Sequence, residues 1–261
     1  MPFAYYSSTQ QKKFTLCPRR YYYHYFSSEC GSEKEEVGIP AIYSRAVLHR
    51  ALQSVHSATD TASIVQALWE TYVAEVGLLN SAHTLCTLPL AEKATAKYAR
   101  LVRAWEEEKW ECVGVEREFI LEPPFTERTR YKTRVDVVLK RGDMMVPVDY
   151  KFTTYKYGFD SQLWTYDPQI VGHAACMGVE DAWVIEIVAR EATKNRGATV
   201  DVKVVPIIVP RREREQWLWE RVEEVRRRDS YEERRQWPRV TGACRAFGKP
   251  CPYIEECLGN G

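Results

Sequence analysis

Residues 131–166 read YKTRVDVVLKRGDMMVPVDYKFTTYKYGFDSQLWTY, and the spacing of the charged residues in this stretch decides what the rest of the chain has to build. Around Asp136 the chain is β-branched and apolar, VDVVL, a poor place to leave a charge without a partner. The turn residues Arg141-Gly142-Asp143 follow, and MMVPVDYKF returns as a second strand, so a hairpin is expected to bring Asp136 near Asp149. Side chains alternate faces along a strand. Asp149 and Lys151 therefore share one face, about 7 Å apart, while Val146, Val148, Tyr150 and Phe152 point the other way into a core.

Two carboxylates can hold a hard divalent cation such as Mg²⁺, which keeps several waters and takes its remaining ligands from a phosphate. Lys151 beside them can orient or deprotonate one of those waters, or neutralise charge building on phosphate oxygens during in-line attack. Gln162 and Tyr166, in QLWTY, are expected on one helical face at i and i+4, placed to grip a phosphate or a base. The plainer alternative is a buried Asp–Lys ion pair followed by an unrelated amphipathic helix, because D-x-K tripeptides are common. The strand acid upstream and the Q-x-x-x-Y segment downstream favour the catalytic arrangement.

The order D…D-x-K…Q-x-x-x-Y resembles the RecB-like branch of the PD-(D/E)XK nuclease superfamily, with Asp149 where many members carry Glu. The resemblance implies that Asp136 and Asp149 bind Mg²⁺ or Mn²⁺, that Lys151 assists the attacking water, and that Gln162 and Tyr166 touch substrate. It also implies an extra metal ligand on an early helix, in a context like V-x-H-x-x-L. His49, within IPAIYSRAVLHRALQSV, fits that place, with His56 the fallback. Glu116 falls where members of the superfamily often carry a glutamate near the site, but a solvent-facing strand glutamate is as good an account, and it is left outside the expected ligand set.

The chain has eight cysteines, which in a reducing compartment argue for metal or cluster ligation rather than a disulfide framework. Cys244, Cys251 and Cys257 crowd into ACRAFGKPCPYIEEC at the far end, and Cys17, in CPRRYYY, is the best candidate for a fourth ligand. Both ends then look like the iron–sulfur subgroup of the same family, which includes CRISPR-adaptation nucleases and the AddB nuclease domain. That resemblance implies a 4Fe–4S cluster on Cys17, Cys244, Cys251 and Cys257; the six residues between Cys244 and Cys251, where the subgroup usually has two, leave zinc as the alternative. Cys30, Cys86, Cys112 and Cys176 have no paired spacing and are expected as buried free thiols.

A chain of 261 residues with 45% hydrophobic content can bury one large core, and a single domain over 1–261 is expected, with 1–30 and 240–261 forming a cysteine subregion. Strands over 112–121, 129–140, 143–152, 181–190 and 199–209, with helices over 39–55, 61–76, 90–109 and 211–235, predict an α/β fold: a mixed sheet of about five strands flanked by helices. Trp217, Leu218 and Val222 form the expected inner face of the last helix. No apolar run approaches the ~20 residues needed to cross a bilayer, and the amino terminus has no secretion-signal pattern, so a soluble cytoplasmic protein with no membrane partner is expected. A net charge of +1 does not announce nucleic acid by itself, but residues 125–156 carry eight Lys or Arg against four acids. The absence of a Gly-rich phosphate loop argues against a nucleotide-driven motor.

These features point to a metal-dependent deoxyribonuclease acting on DNA, as an exonuclease on single-stranded ends. The competing expectation is a non-cleaving nucleic-acid-binding or scaffold subunit of a recombination or CRISPR-adaptation complex. A helicase or other protein partner fits either.

Overall fold

The hairpin at the centre of the chain forms because its turn chemistry and its strand pattern agree. The strands β3 (Thr129–Arg141) and β4 (Met144–Thr153) pair antiparallel from Val137 opposite Val148 to Arg141 opposite Met144, leaving Gly142-Asp143 as a two-residue loop. Gly142 takes φ 60°, the left-handed conformation that a glycine in the first loop position of such a hairpin supplies without a Cβ penalty. The computed structural model describes residues 4–27, 48–56, 63–67, 70, 88–153, 160–190, 197, 199–248 and 250–259, the side chains of 88–89 and 246–248 excepted. Cys30, Cys86 and most of the expected helix over 61–76 lie outside these residues.

The chain groups into two compact units. A central unit takes Gly38–Phe119 and Arg134–Glu213; a terminal unit takes Met1–Val37, Ile120–Thr133 and Arg214–Gly261.

The central unit is a mixed sheet. The strand β2 (Glu111–Ile120) pairs with β3, β3 with β4, β4 in parallel with β5 (Asp181–Arg190), and β5 antiparallel with β6 (Thr199–Ile208). A parallel pair needs a crossover, and here it includes the helix Pro168–Met177. Asp167 caps that helix, accepting from the N–H groups of Gln169 and Ile170. Pro168 supplies the fixed φ of the first turn, and Gly178, at φ 69°, ends it in the left-handed C-cap conformation.

On the other face of the sheet, Val137, Leu139, Val146, Val148, Tyr150, Ile185 and Ile187 join Leu90, Ala94, Tyr98, Val102 and Trp105 of the helix Leu88–Glu107. The spacing of those helical residues is the 3.6-residue period of one apolar stripe. Leu48, Ala51 and Leu52, from the helical stretch 48–54, enter the same core, as their pattern predicts. The alternation expected along β4 holds, with Val146, Val148 and Tyr150 buried in this cluster and Phe152 packed against it.

The terminal unit contains a strand the sequence did not suggest. Its β1 (Ala4–Tyr6) lies parallel to the start of β3, with Ala4 opposite Thr129. Two short helices follow, Ser8–Leu16 and Pro18–Tyr25.

The long helix Arg211–Arg234 buries a different face from the one expected. Leu218 and Val222 are only half-buried, and the inner positions are Trp217, Arg221, Glu224, Val225 and Arg228. Arg221 pairs with Glu224 at 3.1 Å, and Arg228 donates to the Thr129 hydroxyl at 2.6 Å and pairs with Asp229. An apolar count misses such a face, because these ions go inside only when paired, here by Glu224 and Asp229 of the same helix and by Thr129 of β3.

Capping of the crossover helix generates a prediction. Asp167→Ala should lower stability by about 1 kcal/mol, the usual cost of losing an N-cap, and loosen the first turn that carries Gln169. Urea unfolding of the variant beside wild type measures it, and an unchanged midpoint would mean that the cap is redundant.

Candidate metal centre

Continued by one residue beyond Val137–Val148, the hairpin register sets Asp136 opposite Asp149. Directly opposed residues of an antiparallel pair point to the same face, so two carboxylates meet in the interior. Both are buried, Asp149 to 2% exposure. This is unfavourable unless each acid is answered, and the two are answered by different groups.

Asp149 takes the ammonium of Lys151 at 2.6 Å on Oδ2 and the imidazole Nε2 of His173 at 3.3 Å on Oδ1. Burial alone would raise its pKa, but the Lys151 charge and the His173 hydrogen bond outweigh it and hold the carboxyl below its ordinary range. Burial likewise pulls Lys151 down, and Asp149 more than reverses it, so the lysine is kept as an ammonium at neutral pH. Its Nζ also donates to Gln169 Oε1 at 3.0 Å.

Asp136 accepts from the Tyr150 N–H at 2.8 Å and meets His49 Nε2 at 2.9 Å. Burial first, and then the charge of Asp149, push its pKa up, with His49 and the Tyr150 amide opposing. Burial pulls His49 down, but the hydrogen bond and charge of Asp136, with Glu116 and Asp149 behind it, leave it above the ordinary histidine value.

His49 stands over the edge of the Tyr150 ring, with centroids 5.2 Å apart at 88°, and Gln53, one turn on, meets its Nδ1 at 3.0 Å. If Gln53 donates there, Nε2 carries the proton toward Asp136; this tautomer follows from the network. Gln53 also reaches Glu116 Oε1, and Arg134 pairs with Oε2 at 2.7 Å. Glu116 has φ 52° on an otherwise extended strand, a conformation a non-glycine residue adopts at a local cost when the surroundings demand it.

One ligand atom each from His49, Glu116 and Asp136 lie within 4.8 Å of one another, a donor set of one imidazole and two carboxylates that suits Mg²⁺ or Mn²⁺. The structure thus brings together Asp136, Asp149 and Lys151, which the sequence pattern groups, with His49, which the family resemblance implies, and adds Glu116, which was left aside. His56 stands apart from this set. Its Nε2 meets the Tyr98 hydroxyl at 2.7 Å, and burial lowers its pKa to about 4, which keeps it neutral.

Gln162 and Tyr166 are placed otherwise than expected. They lie on a 3₁₀ helix, Ser161–Tyr166, where three residues make a turn, so positions i and i+4 point about 120° apart rather than sharing a face. Both are exposed, Tyr166 at 67%. The inward residues are Trp164 and Ser161, whose Nε1 and hydroxyl donate to the buried Glu186 at 2.6 and 2.8 Å.

The polar pair that reaches the two acids' side of the sheet comes one turn later, as Gln169 and His173 at i and i+4 of the crossover helix. The signal for it was present in D-P-Q-x-x-x-H, an N-cap and a helix-starting proline ahead of the glutamine.

The terminal unit brings four cysteines to one place. Cys17, Cys244, Cys251 and Cys257 line one small cavity, with Arg20, Arg239 and Tyr253. The Cys251 N–H donates to the Cys244 carbonyl at 2.8 Å, so the six-residue excursion between them closes on itself, and the Cys257 N–H donates to Tyr253 O at 3.0 Å. Tyr253 stacks on Tyr23 with centroids 5.9 Å apart. Burial raises the Cys251 pKa, and the neighbouring Cys17 and Cys244 add to it against Arg20.

Of the thiols expected to be buried and idle, Cys112 is exposed on β2, where most residues face solvent, and Cys176 is half-buried, with its pKa pushed to about 12 by burial.

A divalent ion competes with protons for Asp136, whose pKa burial and the Asp149 charge raise. Mn²⁺ binding measured by calorimetry should therefore weaken as pH falls from about 8 to about 5.5 and should release protons. Asp136→Asn should remove most of the affinity and its pH dependence together, and binding by the variant equal to wild type would exclude Asp136 as a ligand.

Among solved structures, a protein from Eubacterium rectale provisionally described as an exonuclease superposes with a TM-score of 0.56 at 14% identity, over 98% of this chain and 88% of that one. At that identity the likeness is one of fold. An alkaline exonuclease from Laribacter hongkongensis matches at 12% identity over 74% of this chain and 96% of its own, with a TM-score of 0.32. A comparison with curated protein sequences gave no significant match. The model of the PD-(D/E)XK nuclease superfamily matches residues 5–257. The match takes in the hairpin, the crossover helix and both cysteine segments, and the chain belongs to the PD-(D/E)XK nuclease superfamily.

Proposed function

We propose that this protein is a divalent-metal-dependent deoxyribonuclease that degrades DNA from single-stranded ends. The observation that carries the proposal is the convergence of His49, Glu116 and Asp136 on the hairpin that also positions Asp149 and Lys151, within a superfamily of nucleases. His49, Glu116, Asp136 and Asp149 would hold Mg²⁺ or Mn²⁺, which supplies an acidified water and charge neutralisation at the phosphate.

The chain's own contribution is electrostatic. Lys151, kept as an ammonium by Asp149, offers its charge to the oxyanion that develops on the phosphate. Gln169 limits the directions Nζ can take, and His173 fixes the second oxygen of Asp149. A buried lysine whose pKa is raised is better suited to neutralising charge than to removing a proton from water. Exposed Gln162 and Tyr166 remain candidates for substrate contact from solvent.

The proposal includes an iron–sulfur cluster on Cys17, Cys244, Cys251 and Cys257. Four thiols lining one cavity fit such a group, and four protein ligands leave it no open position, so its role would be to join the amino-terminal segment to the carboxy-terminal loop.

Two experiments test these statements. Labelled single-stranded DNA should be shortened in Mg²⁺ or Mn²⁺ and spared by chelator, and Asp149→Asn or Lys151→Gln should slow cleavage by at least about a hundredfold. Cleavage by both variants at the wild-type rate would remove the D-x-K pair from the chemistry.

Anaerobically purified protein should be coloured and contain iron and sulfide, and Cys257→Ser should melt at lower temperature, since ligation free energy is folding free energy for such sites. A colourless protein holding one zinc would replace the cluster with a zinc site.

A further inference from the structure

The terminal unit contains a second cavity, of about 560 Å³, between the helix Pro18–Tyr25 and the end of the long helix. Its walls combine three chemistries. Tyr22 stacks on Trp237 with centroids 5.5 Å apart at 28°, and Phe26 lies 5.5 Å from the same indole while leaving 43% of its surface in solvent. Arg19 is anchored beside these rings, its backbone N–H donating to Pro238 O at 3.1 Å and its Nε to Trp237 O at 2.9 Å, so the terminal nitrogens of its guanidinium remain for another acceptor. Across the cavity stand Glu232 and Arg235. Arg235 has φ 53°, and its guanidinium has no protein acceptor among the described residues.

No single simple ligand class uses all of this. An apolar guest would strip water from two guanidinium groups without replacing their hydrogen bonds. A bare anion would have no use for the rings. A nucleotide offers a π-face, a phosphate and, in three of the four common bases, an exocyclic amine, and the volume lies in the range of small-molecule pockets.

We propose that this cavity binds one unpaired nucleotide of a single-stranded nucleic acid. The base lies against Phe26 and the Tyr22–Trp237 stack, the phosphate meets Arg19 and Arg235, and Glu232 accepts from an exocyclic amine. The proposal rests on the nucleic-acid reading above and adds a strand-holding site made of residues that play no part in the metal centre. The requirement for an exposed base face makes the site selective for single strands, because paired bases hide their faces in the stack.

The test is fluorescence anisotropy with labelled oligo-dC and oligo-dT in chelator, beside a blunt duplex. Phe26→Ala should weaken oligo-dC binding roughly tenfold, with Phe26→Trp restoring it. Arg235→Asn, which tolerates the left-handed backbone, should weaken binding and lower the salt dependence by about one phosphate contact. Glu232→Gln should change oligo-dC affinity and leave oligo-dT alone, since thymine has no exocyclic amine. Arg235 is exposed, so its variant should melt as wild type does, and Phe26→Trp, which keeps a ring against Trp237, controls for the packing that Phe26→Ala loses. Wild-type affinity for oligo-dC in both Phe26→Ala and Arg235→Asn, or equal losses on single strand and duplex, would overturn the proposal. Hydrolysis of a small chromogenic phosphodiester in Mn²⁺ separates the two claims: normal turnover with unchanged anisotropy sinks the pocket alone, and no turnover by wild type sinks the nuclease reading while the anisotropy result stands.

Discussion

Two carboxylates opposed across an antiparallel pair, one of them almost wholly out of water, form the constraint on which the centre of this structure depends. At an effective dielectric of about 20, charges a few ångströms apart repel by several kcal/mol, and burial adds to that cost. The surrounding residues can be understood as responses to this repulsion. Lys151 and His173 neutralise and orient Asp149, His49 and the Tyr150 amide answer Asp136, and Gln169 restrains the lysine. The answer is incomplete, because Asp136 keeps a raised pKa. Incomplete neutralisation is what a cation site needs, since a fully satisfied cluster would have no affinity left for an ion.

The supporting elements serve that arrangement in different ways. Tyr150 turns its ring toward Tyr98 and the core while its backbone N–H holds Asp136, so one residue joins packing to the site. The crossover helix covers the opposite face and contributes Gln169 and His173 from one stripe, with Asp167 and Pro168 setting where that stripe begins. Glu116 is delivered by a strained residue on β2, and Arg134 with Gln53 hold its carboxylate. Such strain is kept where surrounding contacts over-determine it, which is the usual circumstance at functional sites.

The terminal unit solves a different problem. Its core is aromatic and ionic rather than aliphatic, with Phe14, Tyr21, Tyr231 and Trp237 in mutual ring contact and Arg221, Glu224 and Arg228 buried through pairing. This unit also holds two cavities, one lined by thiols and one by rings and guanidinium groups.

By itself the sequence determined the five principal strands to within a residue or so, the turn at Gly142, and the order of Asp136, Asp149 and Lys151, whereas His49 entered only through the family resemblance. The strands, the turn and that order follow from local rules: two-residue alternation, turn chemistry, and the rarity of an acid among β-branched neighbours. The crowding of Cys244, Cys251 and Cys257, together with the family resemblance at Cys17, also singled out four cysteines, which the fold brings to one cavity. Only the tertiary structure decided which glutamine meets the lysine. QLWTY and PQIVGH offer the same i, i+4 pattern, and the choice depends on Glu186, buried on β5, drawing Ser161 and Trp164 into a 3₁₀ turn and so leaving the lysine to Gln169. Glu116 and the charged inner face of the long helix stayed hidden for the same reason. Arg134 and Gln53 for Glu116, and Thr129 for Arg228, are partners distant in sequence that no local pattern contains, and the local pairs Arg221–Glu224 and Arg228–Asp229 do not by themselves show that the helix turns this face inward.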